Sequence, residues 1–429
     1  MLNVPFAPDT RIVRRSAPRP VEHHAEICVV GAGISGVSAA IEAARLGRKV
    51  ILVDGFPALG GQAVNSIIGM FCGLFGNGTH GPQLTHGIAD DILRELGAQN
   101  ALHYRRAHTT VVMYDEIALA RWVETTILEA GVTPLVGAVL RQVRVADRRV
   151  VALDFATRYG DVVVHADGFV DASGDAALAW QAGLACQEPA EGVVYGSQMM
   201  VIEGFESDKL PGWDEMAARI REKGEAYGLI RRDGFAANFP EKGVAVVNMN
   251  HVETPLEPFA ASRKGLEGKE QADRTMAFLK GEFAAVFGSA RIRALGFPGI
   301  RQTRWIVGRH HLTADEVRQG TKFSDAIART AWPLEQHHNA EGYVWEPFAE
   351  DHVHYVPFGS LTPPDLDNLV AAGRCIDADA AALSSVRVMG PCIAMGAAAA
   401  HALDLAGSGS VHQIDIAALR RRVAANVEG

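Results

Sequence analysis

Three glycines and an aspartate near the start of the sequence could bind a nucleotide. Gly31, Gly33 and Gly36 follow a short apolar run, and Asp54 ends a second apolar run 23 positions after Gly31. In such a turn the first glycine permits the sharp bend, the second lets a pyrophosphate approach the backbone, and the third lets the helix pack against the strand. The helix N-terminus offers N–H groups to phosphates, and the carboxylate accepts hydrogen bonds from ribose hydroxyls. The order strand, glycine turn, helix, strand and acid therefore predicts a dinucleotide-binding unit.

Two further segments that contain glycine are candidates for ligand contact. Gly60, Gly61 and Gln62 follow the second strand, and adjacent glycines indicate a special turn or a close backbone approach. Gly174 and Asp175 follow a later apolar strand, and ligands of open α/β sheets bind where strands end. Both segments are expected to face the nucleotide.

The glycine turn needs a parallel sheet with packed helices to position it. The apolar pattern predicts a helix over 34–46, and Asp115 is the predicted N-cap of another helix. Residues 147–149 predict the turn of a β-hairpin. Near the C-terminal end, Pro391 precedes an Ala-rich helix predicted over 392–405, whose small side chains favour close packing on a sheet or a ligand.

Composition and charge argue against several functional classes. The chain has 429 residues and a net charge of −9, which gives no support to nucleic-acid binding. Its five cysteines form no CxxC pair, so neither a disulfide framework nor a cysteine metal site is expected, and reduced cytoplasmic thiols are the default. No metal motif and no apolar run of membrane-spanning length appear in the sequence. The proline-rich residues 1–24 contain Arg14-Arg15 without a following apolar run, which favours an irregular arm over an export signal.

The chain resembles the FAD-dependent oxidoreductases of the glutathione-reductase-like superfamily, which have a two-domain FAD-binding fold. More narrowly, it is similar to flavoproteins related to the thiazole-synthesis and fumarate-reductase types. The likeness spans about residues 25 to 406. It is carried by the segments 29–36, 53–54, 59–62, 171–175, 299–304, 332–337, 368–374 and 385–389. One departure is Phe358-Gly359, where an aromatic–arginine pair is expected, and it leaves the substrate class open.

The resemblance implies an extended FAD that reaches from the glycine turn to the C-terminal part of the chain. The strand near Val139 would present its backbone to the adenine, and the Gly373-Arg374 turn would meet the phosphates or the ribityl chain. A helix that begins at Cys392 would direct its N-terminus at the flavin pyrimidine, where reduction builds negative charge. The residues expected to bind FAD are therefore Gly31, Gly33, Ile34, Ser35, Gly36, Asp54, Gly60, Gly61, Gln62, Val139, Gly174, Asp175, Gly373, Arg374, Ser385 and Cys392.

Four residues in the second half of the chain are candidates to assist catalysis. His337 closes the segment Trp-Pro-Leu-Glu-Gln-His, His354 lies where the chain returns to the FAD domain, and a histidine can move protons near neutral pH. Arg301 and Arg304 could bind a substrate carboxylate or stabilise a developing oxyanion. Structural roles, as hydrogen-bonded core histidines or salt-bridged arginines, remain open alternatives.

We expect an α/β fold in which a discontinuous, Rossmann-like FAD-binding domain, with a parallel sheet, helices and a β-meander, carries an inserted α+β substrate domain. The predicted divisions are an N-terminal arm at 1–24, FAD-binding parts at 25–194 and 356–410, a substrate or cap domain at 195–355, and a C-terminal tail at 411–429.

The expected function is that of an FAD-dependent dehydrogenase or oxidase that acts on a small organic substrate by hydride transfer to the flavin, with a histidine or an arginine assisting. Oxygen, a quinone or a partner protein are the candidate electron acceptors, and a homo-oligomer is left open. The alternatives are a flavin monooxygenase of related fold and an FAD-binding electron-transfer subunit, although the lack of cysteine clusters weakens the second. A tRNA-modifying flavoprotein is disfavoured by the acidic charge.

Overall fold

The computed structural model describes residues 19–189 and 194–428. The strands in these ranges are β1 (Val21–Val30), β2 (Val50–Asp54), β3 (Met70–Phe71), β4 (Leu102–Arg106), β5 (Thr110–Tyr114), β6 (Thr133–Val136), β7 (Ala138–Ala146), β8 (Arg149–Thr157), β9 (Gly160–Asp171), β10 (Cys186–Gln187), β11 (Met200–Glu203), β12 (Phe235–Phe239), β13 (Val244–Asn248), β14 (Arg291–Leu295), β15 (Trp305–Ile306), β16 (Ala326–Thr330), β17 (Leu334–Asn339), β18 (Gly342–Glu346), β19 (His354–Pro357) and β20 (Leu369–Ala371). The α-helices are α1 (Ile34–Arg45), α2 (Gly61–Asn65), α3 (Ile88–Ala98), α4 (Glu116–Glu129), α5 (Ala177–Gln181), α6 (Trp213–Lys223), α7 (Pro258–Glu282), α8 (Ala284–Phe287), α9 (Ala314–Gln319), α10 (Ala380–Val386), α11 (Met389–Ala406) and α12 (Ile416–Arg422). Most of the predicted N-terminal arm falls on residues 1–18, outside the described ranges.

The largest sheet has the strand order β6-β2-β1-β9-β8-β7, and β20 pairs with the C-terminal end of β9. The pairs β1–β2, β1–β9, β2–β6 and β9–β20 are parallel. Strands β7, β8 and β9 are antiparallel neighbours in chain order, which makes them a meander. This sheet confirms the predicted mixed α/β, Rossmann-like fold.

Helices α1 and α11 pack against each other almost backbone to backbone. A Cβ on Gly396 would stand 2.1 Å from the Ser35 carbonyl oxygen, and Ser38 Oγ donates to the Ile393 carbonyl at 2.7 Å. This close approach explains the small side chains of the Ala-rich segment. The helix begins at Met389 rather than at the predicted Cys392, because Pro391 lies in the first turn, where an N–H has no intrahelical partner. Among the described helices, α11 alone has the length and hydropathy to cross a membrane, and 72% of it is buried in the fold.

Segments from both ends of the chain complete one core. Strand β20 is held beside β8 and β9 by the Asn368 side chain, which donates to the carbonyls of Val150 and Asp167 at 2.8 Å each. Its Oδ1 accepts from the Val150 N–H at 2.9 Å. The C-terminal part of the chain therefore joins the sheet that β1 and α1 begin.

A second, antiparallel sheet in the middle of the chain has the order β12-β13-β11-β14. One face packs with α6, α7 and α8 around a separate core that includes Phe278 and Phe287. The other face packs against Met70 and Met113 of β3 and β5. Phe235 of β12 and Asn248 of β13 line the same cavity as the glycine turn, and the domain boundaries stay a prediction.

Two local predictions about secondary structure are confirmed. Asp115 Oδ1 caps α4 by accepting from the N–H groups of Ile117 and Ala118, at 3.0 and 2.8 Å. Asp147 and Arg148 have φ values of 47° and 60° between β7 and β8, as a two-residue hairpin turn requires.

Candidate active site

One cavity of about 1670 Å³ reaches from the glycine turn to a cluster of charged and aromatic side chains that includes Arg301 and Glu335. A site for one drug-sized ligand occupies roughly 300–1,000 Å³. This cavity therefore has room for more than one small molecule.

The glycine turn between β1 and α1 is packed tightly on one side and open on the other. Gly31 has a φ of 101°, and a Cβ there would stand 2.3 Å from the Ala172 carbonyl oxygen. A Cβ on Gly36 would stand 1.8 Å from the Gly31 oxygen. A Cβ on Gly33, by contrast, would meet no atom within 4 Å, and no side chain caps the following helix. The N–H groups at the start of α1 are thus available to an anion in the cavity, and the turn fits a pyrophosphate.

Asp54 faces the cavity beside this turn. Its Oδ2 accepts from the Ala32 N–H at 2.6 Å and its Oδ1 from the Phe56 N–H at 2.8 Å. Burial raises the pKa of Asp54, and the two backbone hydrogen bonds oppose that rise. The turn at Gly61 packs directly on the glycine turn, since a Cβ on Gly61 would stand 2.5 Å from Gly33 Cα.

Gln62 joins this end of the cavity to the segment that carries Arg301. Its Nε2 donates to the Ile300 carbonyl and its Oε1 accepts from the Ile300 N–H, both at 3.0 Å. The two hydrogen bonds fix the backbone next to Arg301.

The middle of the cavity wall is a loop after β9 together with the turn after β20. Arg374 donates to Asp175 Oδ1 at 3.0 Å and lies 3.4 Å from Thr303 Oγ1, which itself donates to Asp175. Buried Asp171 orients the loop by accepting from Ser173 Oγ at 2.6 Å. Gly373 has a φ of 92°, and a Cβ there would stand 2.7 Å from Ser35 Oγ. These contacts bring the Gly373-Arg374 turn to the start of α1.

Glu335 lies on the cavity wall at the far end, and both of its carboxylate oxygens are hydrogen-bonded. The Trp332 indole donates to Oε2 at 3.1 Å, and His337 Nε2 lies 2.9 Å from Oε1. Burial raises the pKa of Glu335, but the hydrogen bond from His337 and the charges of His337, Arg301 and Arg387 outweigh it and bring the pKa to about 2. Glu335 is therefore an oriented, ionised carboxylate.

Behind Glu335, His337 and His251 form a row of hydrogen bonds that ends at the Ala340 carbonyl. This row needs three N–H protons, whereas two neutral histidines supply two. His251 Nδ1 lies 3.0 Å from the Ala340 carbonyl, which can only accept, so Nδ1 holds a proton. His251 Nε2 then accepts from His337 Nδ1, also at 3.0 Å. The contact between His337 and ionised Glu335 needs a further proton on His337 Nε2. Burial, and then the charge of Arg301, lower the pKa of His337 to about 3 although Glu335 acts to raise it, so the further proton belongs to the contact between His337 and Glu335 and is not an independent charge on His337.

Two arginines flank this carboxylate. Arg301 donates from Nη1 to the Tyr195 carbonyl at 2.6 Å and from Nη2 to Ser197 Oγ at 3.0 Å. Arg387 Nη2 lies 3.5 Å from the Glu335 carbonyl oxygen. Both arginines line the cavity.

The predicted FAD-binding residues fall into two groups. Those that line the cavity are Gly31, Gly33, Ile34, Ser35, Asp54, Gly61, Gln62, Val139, Gly174, Asp175, Gly373, Arg374 and Cys392. Gly36, Gly60 and Ser385 lie behind the wall. Gly36 packs on the Gly31 backbone, Gly60 donates its N–H to the Ala32 carbonyl at 2.8 Å, and Ser385 is fully buried.

Two of the predicted catalytic residues also lie away from the cavity. His354 is fully buried, and its Nε2 donates to Ser385 Oγ at 2.8 Å, while Ser385 donates to the Trp332 carbonyl. Arg304 donates to Glu188 at 2.6 Å and covers the Trp180 ring at 4.5 Å. His337 is buried and reaches the cavity through Glu335, so Arg301 alone of the four lines it directly.

Sequence reasoning missed Glu335, Arg387 and Trp332 as site residues. Glu335 could have been predicted, because residues 335 and 337 of one strand point to the same face. If His337 faces the site, Glu335 faces it too. Arg387 immediately precedes the helix that was predicted to meet the flavin. Trp332 carried no comparable signal.

One group of metal-ligand side chains lies elsewhere among the described residues. The ligand atoms of Glu22, His24 and His165 are within 4.8 Å of one another on the exposed parts of β1 and β9, far along the strands from the glycine turn. The rings of His24 and His165 stack at 4.7 Å.

A parallel sheet with a glycine turn that opens onto so large a cavity defines a nucleotide-cofactor enzyme of the Rossmann-like class. The chain belongs to the FAD dependent oxidoreductase family, whose model matches residues 26–423, and it is therefore an FAD-dependent oxidoreductase. The probable oxidoreductase OrdL of Haemophilus influenzae is 51% identical over 49 residues, which cover 10% of this chain and 11% of that protein.

Solved structures with a similar arrangement are distant in sequence. A geranylgeranyl bacteriochlorophyll reductase-like protein from Thermoplasma acidophilum is 14% identical, with a TM-score of 0.48 over 89% of this chain and 78% of that one. PqsL of Pseudomonas aeruginosa is 15% identical, with a TM-score of 0.43 over 94% of this chain and 93% of that one. The family match, rather than these structures, identifies the cofactor as FAD.

Proposed function

We propose that this FAD-dependent oxidoreductase is a dehydrogenase or oxidase of a small organic substrate, which reacts at the Glu335 end of the cavity. The observation that carries the proposal is the continuity of that cavity. A turn with free N–H groups for a pyrophosphate lies at one end, and an oriented carboxylate with two arginines lies at the other.

The residues of the first end and the middle suit the parts of FAD. Gly33 and the N–H groups of Ile34 and Ser35 would hold the pyrophosphate, Asp54 the adenosine ribose, and Arg374 the phosphates or the ribityl chain. Bound FAD supplies the capacity to accept or donate a hydride. The protein must then place the substrate and move its proton.

Glu335 is the proposed proton acceptor of the reaction. A donor that loses a hydride from carbon also loses a proton from oxygen or nitrogen. Glu335 is a weak base because its pKa is about 2, so it takes this proton as the hydride leaves, when the proton of the donor has become strongly acidic. Trp332 and His337 hold the carboxylate from behind, so His337 is a positioning residue and no longer a candidate for direct contact. Arg304 and His354 do not line the cavity and make no direct contact in the proposed reaction.

The test begins with the purified protein and its flavin absorbance. We expect FAD to be bound at one per chain, and anaerobic mixing with amines, hydroxy acids, sugars and NAD(P)H to show which donor bleaches it. Glu335→Gln should retain FAD and slow bleaching by about 10²- to 10⁴-fold, the range of general-base catalysis. Glu188→Gln, which removes the exposed partner of Arg304, is the matched control and should bleach normally.

Three outcomes would contradict the proposal. A colourless protein that takes up no added FAD would remove the cofactor from the cavity. Unchanged bleaching in Glu335→Gln would remove the proton acceptor. Bleaching by a partner protein alone, with every small donor inactive, would make the chain an electron-transfer subunit.

A further inference from the structure

Arg301 and Arg387 present positive charge to the cavity without a carboxylate partner among the described residues. The acceptors of Arg301 are a backbone carbonyl and a serine hydroxyl, both neutral. Arg387 has one long contact with a carbonyl oxygen. Most of the N–H groups of these two forks are therefore left for a ligand.

The acids nearby already have hydrogen-bonded partners. Glu335 is paired with His337, and Asp233 is paired with Arg231, which also donates to Asn248 Oδ1 at 2.8 Å. Burial, and then Arg387, lower the pKa of Arg301 to about 9. An unpaired charge in a buried place is costly, and an anionic ligand would remove that cost.

Flat aromatic side chains border the same part of the cavity. Trp345 makes edge contacts with Trp332 and Tyr343, with ring centres 5.5 and 6.0 Å apart, and all three line the cavity. Aromatic surface beside a guanidinium suits a ligand with an anionic end and a planar apolar body.

We infer that the substrate is an organic carboxylate with a planar apolar portion, bound by Arg301 and Arg387 and packed against Trp332, Tyr343 and Trp345. This inference rests on the proposed function of the same site and names its substrate class. An anionic group could also come from FAD itself, so the experiment must separate the two sources.

Isothermal titration calorimetry with benzoate, and with benzamide as its neutral isostere, tests the inference on both the FAD-loaded protein and the apoprotein. The FAD-loaded protein should bind benzoate at least about 10-fold more tightly than benzamide. Arg301→Met and Arg387→Met should each weaken benzoate binding by about 10- to 150-fold, the worth of a hydrogen bond to a charged group, and leave FAD content and benzamide binding unchanged. Arg304→Met, outside the cavity, is the matched control.

The outcomes distinguish the substrate from FAD as the source of the anion, and they distinguish failure of this inference from failure of the proposed function. If Arg301→Met or Arg387→Met loses FAD and keeps its benzoate affinity, the cofactor supplies the anion and the inference is overturned. Equal affinity for benzoate and benzamide also overturns it. If Arg301→Met does not fold, Arg301→Lys keeps the charge without the fork and should show an intermediate benzoate affinity. A wild-type protein that binds no FAD refutes the proposed function, and the apoprotein titration still decides whether the arginines select a carboxylate.

Discussion

Replacing Gly33 by alanine should separate FAD binding from folding. Gly33 has a φ of −69° and a ψ of 177°, which alanine adopts without strain, and its added Cβ would meet no protein atom within 4 Å. Alanine is a weaker N-cap than glycine, which destabilises the folded state, but it lowers the entropy of the unfolded chain, which stabilises the folded state. The stability of the apoprotein should therefore change by no more than about 1 kcal/mol.

The same methyl group would occupy the space from which a pyrophosphate approaches the start of α1. Forcing one methyl into a packed contact costs about 1–3 kcal/mol, which is a loss of about 5- to 150-fold in FAD affinity. Titration of the apoprotein with FAD, followed by the quenching of flavin fluorescence, measures this loss. Thermal unfolding of the apoprotein measures stability.

Gly36→Ala is the contrasting variant, because its Cβ would stand 1.8 Å from the Gly31 carbonyl oxygen. It should lower both the unfolding midpoint and FAD affinity. Wild-type FAD affinity in Gly33→Ala would show that the pyrophosphate does not bind at this turn. If the Gly33→Ala apoprotein unfolds at as low a temperature as the Gly36→Ala apoprotein, the space next to Gly33 is not open as described.

Three further substitutions test other contacts. Burial, and then His352, lower the pKa of His354 to about 3, below the ~6.5 of an unfolded histidine. Neutral His354 therefore contributes fully to stability above about pH 6.5, and the free energy of unfolding falls by about 2 kcal/mol by about pH 5. His354→Gln should make the thermal unfolding midpoint less sensitive to acid, and an equally steep fall of that midpoint would refute this. Asn368→Ala should lower the free energy of unfolding in urea by about 2–4 kcal/mol, because the backbone N–H and carbonyl of Val150 and the carbonyl of Asp167 lose the hydrogen bonds that the Asn368 side chain makes. A loss below about 1 kcal/mol would contradict the bridging role. Asp54→Ala should weaken FAD binding by about 10-fold or more in the same fluorescence titration, whereas unchanged affinity would place the ribose elsewhere.

The glycine turn was predictable from sequence because its constraints are local. Gly31 needs a positive φ, Gly36 needs contact with the turn that precedes it, and Asp54 follows the next strand, so all the requirements fall within one βαβ unit. The parallel sheet and the hairpin at Asp147 followed from similarly local patterns. Local spacing therefore predicted the glycine turn and the parallel sheet that supports it.

The far end of the cavity could not be predicted in the same way. Arg301, Glu335 and Arg387 come from three separate segments, and only tertiary packing shows that Glu335 is matched by a histidine while the arginines are not. Arg304 is three residues from Arg301 and is the same residue type, yet it pairs with Glu188 outside the cavity. Residue type and order alone do not distinguish these two arginines.

His354 and Ser385 were both predicted as site residues, and both lie behind the cavity wall. His354 donates to Ser385, Ser385 donates to the Trp332 carbonyl, and the Trp332 indole donates to Glu335. A change at either residue would therefore reach the substrate only through the orientation of Trp332 and the carboxylate that it holds. Such a change should alter the rate of proton transfer more than the affinity for FAD, which is the reverse of the effect expected at Gly33.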